Sequence, residues 1–217
     1  MGLLVNIDNG GTFTDICVSD GDTVSYVKSP TTPHDLTKCF VDILTRASQQ
    51  IYGEEDLTRL VQNIDYLRYS TTSGTNAIVE QRGASVGLLV DSGEEKNIYG
   101  YQKELEKNSL WKVMVPSSPR GIPIEGKEID EERLVAIIND LLSTGISRLV
   151  VSLSSIESEL KVKDTLLESY PRHLLGAVPF LVSHELSADR EDGRRTFTAV
   201  INSFLHPGME HFLYGAE

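Results

Sequence analysis

Between Leu3 and Asp15 the chain reads LLVNIDNGGTFTD, and no other stretch restricts its folding as tightly. Leu3, Leu4, Val5 and Ile7 form an apolar run that ends at the carboxylate of Asp8, after which Asn9, Gly10 and Gly11 call for a reversal. Asn-Gly between two apolar runs is a strong hairpin signal, because few other residues tolerate the backbone angles of a tight turn. Phe13, Ile16 and Val18 supply the returning strand, with Thr12 and Thr14 beside the glycines. Such a tip has a chemical use. Glycines let backbone N–H groups approach a phosphate, threonines add hydroxyl donors, and Asp8 can hold a magnesium ion or its water. The same residues also make an ordinary tight hairpin with a capping Asp, and the motif by itself leaves both readings open.

The elements that follow are read from periodicity and turn chemistry. Ser19-Asp20-Gly21-Asp22 is a turn and Thr23 to Ser29 a third strand, which completes an antiparallel meander. Pro33-His34-Asp35 opens a helix with Leu36, Phe40, Ile43, Leu44 and Ala47 at helical spacing and Gly53 near its end. A short helix (Glu54 to Gln62) leads to a strand from Tyr66 to Ser70. Thr71-Thr72-Ser73-Gly74-Thr75-Asn76 then stands directly before apolar Ala77, Ile78 and Val79. A helix opening there would direct free N–H groups and its positive dipole end towards the strand ends, which makes an anion or carbonyl site; plain N-capping of a packing helix explains the same residues.

Val86 to Asp91 reads as a fifth strand, and it closes a first part, residues 1–91. Residues 92–128 change character, with Pro116, Pro119 and Pro123, several glycines and no sustained period. This is an irregular connection or insertion, with short strands expected around Trp111 to Val115. Its Tyr99, Tyr101 and Trp111 pin it to the body or, as the lesser reading, line a substrate mouth or subunit contact. In residues 129–217 a helix (Asp130 to Leu142), a buried strand (Arg148 to Leu153), a helix (Glu157 to Ser169) and a strand (Val178 to Ser183) alternate, which implies parallel strands covered by helices. The charge run from Glu185 to Arg195 reads as a solvated helix face, with Arg190, Arg194 or Arg195 at a cleft edge as the competing use. An apolar helix stopped by Pro207-Gly208 follows.

Acidic side chains outnumber basic ones by 32 to 20, which argues against a polyanion-binding surface and against nucleic acid as the main partner. A local phosphate cradle is unaffected by that balance. Cys17 and Cys39 make no metal spacing and no disulfide framework, and Cys17, in an apolar run, is expected to be buried. With no leader-like segment before the first strand and no apolar run of about 18 residues, a soluble, cytoplasmic protein without membrane contact is expected.

Four motifs, in order, resemble the hydantoinase A/5-oxoprolinase family, whose relatives include ATP-dependent acetone and acetophenone carboxylases. They are DNGGTFTD, KSPTTP (Lys28 to Pro33), TTSGTNAIVEQRGA (Thr71 to Ala84) and ELSADREDGRRTFTAVINSFLHP (Glu185 to Pro207), and together they cover nearly the whole chain. The resemblance implies an α/β fold, ribonuclease H-like, forming the first lobe of an actin-like ATPase with a second, smaller α/β subregion. It implies ATP and magnesium as cofactors. Asp8 would be catalytic and the metal anchor, Gly10, Gly11, Thr12 and Thr14 would bind the cofactor, and Thr71, Thr72 and Asn76 would face substrate or phosphate. The implied activity is that of an ATP-dependent hydrolase or carboxylase, which activates a substrate carbonyl by phosphorylation for cyclic-amide hydrolysis or ketone carboxylation. A second phosphate loop would come from the remaining lobe or other subunits, so the chain alone would be an incomplete enzyme acting on a small carbonyl substrate. The alternative is a non-catalytic lobe kept for subunit assembly. Tyr69-Ser70 stands where many hydrolytic members of the family have His-Gly, and this departure points away from hydantoin hydrolysis.

Overall fold

The computed structural model describes residues 2–98, 110–122, 124, 125, 128–170 and 178–216. Two compact units result: Met1–Glu80 with Gly208–Glu217, and Gln81–Pro207. The fifth strand pairs entirely with later strands and so lies in the second unit.

The first unit holds strands β1 (Leu3–Asn9), β2 (Phe13–Ser19), β3 (Val24–Pro30) and β4 (Ile64–Thr71) in the spatial order β3-β2-β1-β4. The first three form the expected antiparallel meander, and β4 joins β1 in parallel. Alternation along the strands sends Val5, Ile7, Ile16 and Val18 to one face, where helix α1 (Leu36–Tyr52) covers them with Ile43, Leu44 and Ala47. Helix α2 (Leu57–Gln62) adds Leu60. Burying each of the valine, isoleucine and leucine side chains stabilises the unit by roughly 1.5–3 kcal/mol. Asp35 caps α1 by accepting from Lys38 N–H, and Gly53 ends it at φ 81°, an angle that a residue without Cβ adopts freely.

In the second unit β5 (Val86–Asp91), β6 (Arg120–Ile122), β9 (Arg148–Val151) and β10 (Phe180–Val182) form a sheet in the order β10-β9-β5-β6, parallel throughout. Every residue of β9 is buried, as parallel strands covered on both faces require. Val86, Leu88 and Val90 pack on one side with Trp111 and Met114 of α4 (Leu110–Met114) and with Val200 and Phe204. Leu89 packs on the other with α5 (Glu131–Ser143) and α6 (Ile156–Ser169). Strands β7 (Ile124–Glu125) and β8 (Glu128–Ile129) make a separate ladder. Short helix α7 (Ser183–Leu186) and long helix α8 (Asp192–Ala216) complete the chain.

Two expectations need correction here. Trp111 to Met114 is helical, not a strand: Trp111 is 1% exposed and lies 5.6 Å from Phe197, so it pins the segment to the core. Tyr99 and Tyr101 lie outside the described residues. The last helix does not stop at Pro207, which lies inside α8. Proline removes one N–H and so leaves the Ser203 carbonyl without its helical donor, yet the helix continues; one residue on, the Phe204 carbonyl accepts from Ala84 N–H at 2.9 Å.

The charge run is not a solvated face throughout either. Arg195 is 2% exposed: its Nε donates to Ser183 Oγ (3.0 Å), and its other nitrogens donate to the carbonyls of Asp189 and Leu153 (3.0 Å each) and to Asp192 (2.6 Å). Ser183 Oγ in turn donates to the fully buried carboxylate of Glu159 (2.6 Å), which also accepts from Leu153 N–H (2.9 Å) and His184 N–H (3.0 Å). The guanidinium's fixed fork matches this set of acceptors, and the opposite charges are relayed through one hydroxyl.

Candidate functional site

The hairpin tip begins where β1 and β2 end. Asn9 and Thr14 are the last register pair, and Gly10 N–H donates to the carbonyl of Phe13 at 2.9 Å. Neither glycine takes a left-handed φ, so close approach rather than turn geometry explains them. A Cβ on Gly10 would stand 3.0 Å from Phe13 O, and one on Gly11 would stand 3.4 Å from the side-chain amide of Asn76. Among the described residues the N–H groups of Gly11 and Thr12 have no acceptor.

Beneath the tip lies a network of small polar side chains. Asn9, 2% exposed, donates from Nδ2 to Thr14 Oγ1 (2.7 Å) and to Cys39 Sγ (3.2 Å), and its Oδ1 accepts from Thr71 Oγ1 (3.3 Å). Thr14 and Thr31 share a hydroxyl contact of 2.9 Å, and Thr31 also donates to the carbonyl of Gly10 (2.8 Å). The N–H of Thr31 donates to Thr12 O (2.9 Å). Buried groups of this kind hold a fixed geometry because leaving any one unpaired costs about 1–3 kcal/mol.

The second motif arrives through β4. Parallel register sets Asp8 against Ser70 and Asn9 against Thr71, and Thr72 N–H donates to Asn9 O at 3.1 Å. Ser70 Oγ donates to Asp8 Oδ1 (2.8 Å), and the other carboxylate oxygen has no partner among the described residues. Helix α3 (Ser73–Val79) is only seven residues long, and its cap Thr72 makes no side-chain capping bond. Its dipole is therefore a minor source of field, and the hydroxyl and amide groups carry what chemistry the segment has. Asn76 places its amide against Gly11, so residues more than sixty positions apart in sequence meet at one loop.

Of the residues expected here, Asp8, Gly11, Thr12, Thr72 and Asn76 are exposed at this end of the sheet, and Gly10 and Thr71 are half-buried. Thr14 is fully buried, so it braces the loop from below rather than offering its hydroxyl to a ligand. Thr71 has a similar task, since it also accepts from Ser73 N–H (3.1 Å). Asn9, Ser70 and Thr31 escaped the sequence reading. Thr31 had a signal in the KSPTTP string, whereas Asn9 read only as a turn residue. Tyr69 turns to the α1 side of the sheet, stacked at 4.6 Å on Phe212 and edge-on to Phe40 at 5.8 Å. Burial pushes its phenol up to about 12, with a smaller contribution from Cys39. Tyr69 thus packs on the α1 face, next to Cys39 and Thr71 of the brace, while Ser70 meets Asp8 on the opposite face, so the Tyr69-Ser70 departure bears on both the core and the site.

These features define an α/β protein in which a mixed sheet presents a glycine-threonine hairpin, one carboxylate and a Thr/Asn segment at a single sheet end. The chain belongs to the hydantoinase/oxoprolinase family: the family model for the N-terminal region matches residues 4–169. It is 27% identical over 234 residues to the acetophenone carboxylase gamma subunit of Aromatoleum aromaticum, a match covering 95% of this chain and 31% of that protein. It is 26% identical over 226 residues to caprolactamase subunit alpha of Pseudomonas jessenii, covering 96% and 32%. The nucleotide-free structure of acetone carboxylase, solved for the mechanism of ATP-dependent acetone carboxylation, superposes with a TM-score of 0.79 at 22% identity over 99% of this chain and 34% of that one. At such identity the likeness is one of fold. The chain spans about a third of the length of these two curated relatives. Among the described residues no helix is long and apolar enough to cross a membrane.

Proposed function

We propose that this chain is the N-terminal, ATP-binding lobe of a larger ATP-dependent enzyme that activates a carbonyl substrate by phosphorylation, built on a ribonuclease H-like sheet of the actin-like kind. The observation that supports it best is the convergence of Asp8, the Gly10-Gly11-Thr12 tip and Asn76 on one sheet end over a buried polar brace. ATP with magnesium supplies, when bound, a transferable phosphoryl group.

The donor set suits that group. Among the described residues no three His, Cys, Asp or Glu side chains gather as a metal cage, and magnesium bound to a nucleotide needs only one or two carboxylates beside phosphate oxygens and water. Asp8 offers one carboxylate oxygen while Ser70 fixes the other. The N–H groups of Gly11 and Thr12, with the Thr12 hydroxyl, would hold phosphate oxygens, and Thr72 and Asn76 would orient substrate or phosphate. Phosphoryl transfer asks for positioning and charge neutralisation rather than a covalent nucleophile, and rigid small residues provide the first. The relatives named above include a ketone carboxylase and a lactamase, and the substrate is correspondingly a ketone or a cyclic amide.

The test is Asp8→Asn in the complete assembly. Removing the charge without changing side-chain size should lower nucleotide-dependent turnover by about 100-fold or more and weaken its magnesium dependence. Thermal stability should hold, since Asp8 is exposed. Full activity at unchanged stability would remove Asp8 from the site.

A further inference from the structure

The first sheet has a second face, opposite α1, and its register arranges the outward side chains in three rows. Farthest from the hairpin stand Val24, Ser19, Leu4 and Tyr66; the middle row is Tyr26, Cys17, Asn6 and Arg68; nearest the hairpin are Lys28, Asp15, Asp8 and Ser70. The last row is polar and partly self-satisfied, with Lys28 3.1 Å from Asp15. The other two are not what a solvated sheet face carries. Such a face normally alternates to polar residues, yet Tyr26 and Tyr66 are 70% and 71% exposed and Val24 52%, with Leu4 beside them. Arg68 has no ion-pair partner among the described residues. A groove of about 510 Å³ runs over the middle and polar rows.

Resting on the reading of this chain as one lobe of a larger enzyme, we propose that this face is covered by a helix of that enzyme from outside these 217 residues, which lays an apolar stripe over Leu4, Val24 and Tyr66 and brings an acidic side chain to Arg68. Two observations favour that occupant. Matched relatives carry about two thirds of their length outside the region corresponding to this chain, so covering polypeptide is at hand in proteins of this kind. The face itself offers side chains rather than free backbone groups, because the interior strands are hydrogen-bonded on both edges, and a layer packing on such a surface presents an apolar stripe. The unpaired guanidinium sets the sign of the complement. Because the polar row includes Asp8, the covering helix would lie beside the nucleotide end and close one flank of it.

Cys17 reports directly on this face. It is half-buried in the middle row, next to Tyr26, whose phenol it raises by hydrogen bonding, while Cys39 is 1% exposed and serves as an internal reference. Iodoacetamide labelling followed by mass spectrometry is compared between the isolated 217-residue chain and the assembly purified at native size from cells that produce it. The expected result is labelling of Cys17 at least 10-fold slower in the assembly, with Cys39 slow in both. Tyr66→Asp with Arg68→Glu should leave the melting temperature of the isolated chain within a few degrees of wild type and prevent its recovery in the assembly. An assembly with Cys17 as reactive as in the free chain, or one that incorporates the double variant normally, overturns the covering helix while leaving the lobe reading intact. A chain found only as a 24 kDa monomer overturns both. A free chain that sediments as a dimer with Cys17 protected also overturns it, since the occupant is then a second copy.

Discussion

Asp189, Arg194 and Arg195 lie within seven residues of one another, and burial alone separates their energetics. Arg195 is enclosed and serves four acceptors, whereas Arg194 reaches Asp189 at 3.0 Å from an exposed position. Arg195→Met should therefore destabilise the second unit by about 3–5 kcal/mol, because it removes the cation that opposes the buried Glu159 carboxylate through Ser183 and the donor to the Leu153 carbonyl. Arg194→Met should cost under about 1 kcal/mol, the range of an exposed pair. Urea midpoints of the two variants check the contrast, and equal shifts would refute it. The hydrogen bond from Arg194, followed by that from Glu191 N–H, lowers the Asp189 carboxyl to about 2. A depressed carboxylate stabilises the fold above its unfolded value of about 3.9 and loses that contribution as pH falls towards 2. A carbon-detected titration of Asp189 should show the low midpoint, and Arg194→Met should return it towards the ordinary value.

Between elements, the bend before β5 brings Gly83 close against α8. A Cβ there would stand 2.5 Å from Phe204 O and 2.6 Å from its ring, and the neighbouring Ala84 N–H depends on the same carbonyl. Gly83→Ala must push this bend and the helix apart, at a cost of about 1–3 kcal/mol, readable as a lower denaturation midpoint. A midpoint equal to wild type would place the helix farther off than the structure does. Helix α8 also runs past Pro207. Sequence rules place a helix end at proline because of the bond it cannot make, and that rule holds only where nothing else satisfies or supports the turn.

For the whole molecule, the proposed reading makes a simple demand. A chain spanning about a third of its relatives supplies one wall of a nucleotide site, and a half-built site forfeits much of its positioning. The purified chain should therefore hydrolyse ATP at no more than a trace rate with magnesium present, by phosphate release. Robust magnesium-dependent turnover by the monomer would sink the lobe reading.

Local chemistry was enough to specify the meander, the caps of α1, the buried β5 and β9 and the hairpin motif, because alternation, capping residues and Asn-Gly-Gly act over a few residues. It also marked Asp8 and the Thr71 to Asn76 segment as chemical candidates. Their meeting was a different matter. It depends on β4 entering beside β1 in parallel at a register that sets Asp8 against Ser70, and such pairing across more than sixty residues is fixed by which faces can be buried together. The same holds for the roles of single residues. Thr14 and Thr12 are two positions apart on one strand end and look alike in sequence, yet one is enclosed under Asn9 and the other exposed. Arg195 and Arg194 are adjacent, yet only one faces the core, because a helix turn of about 100° per residue lets tertiary packing choose between neighbours that composition cannot tell apart.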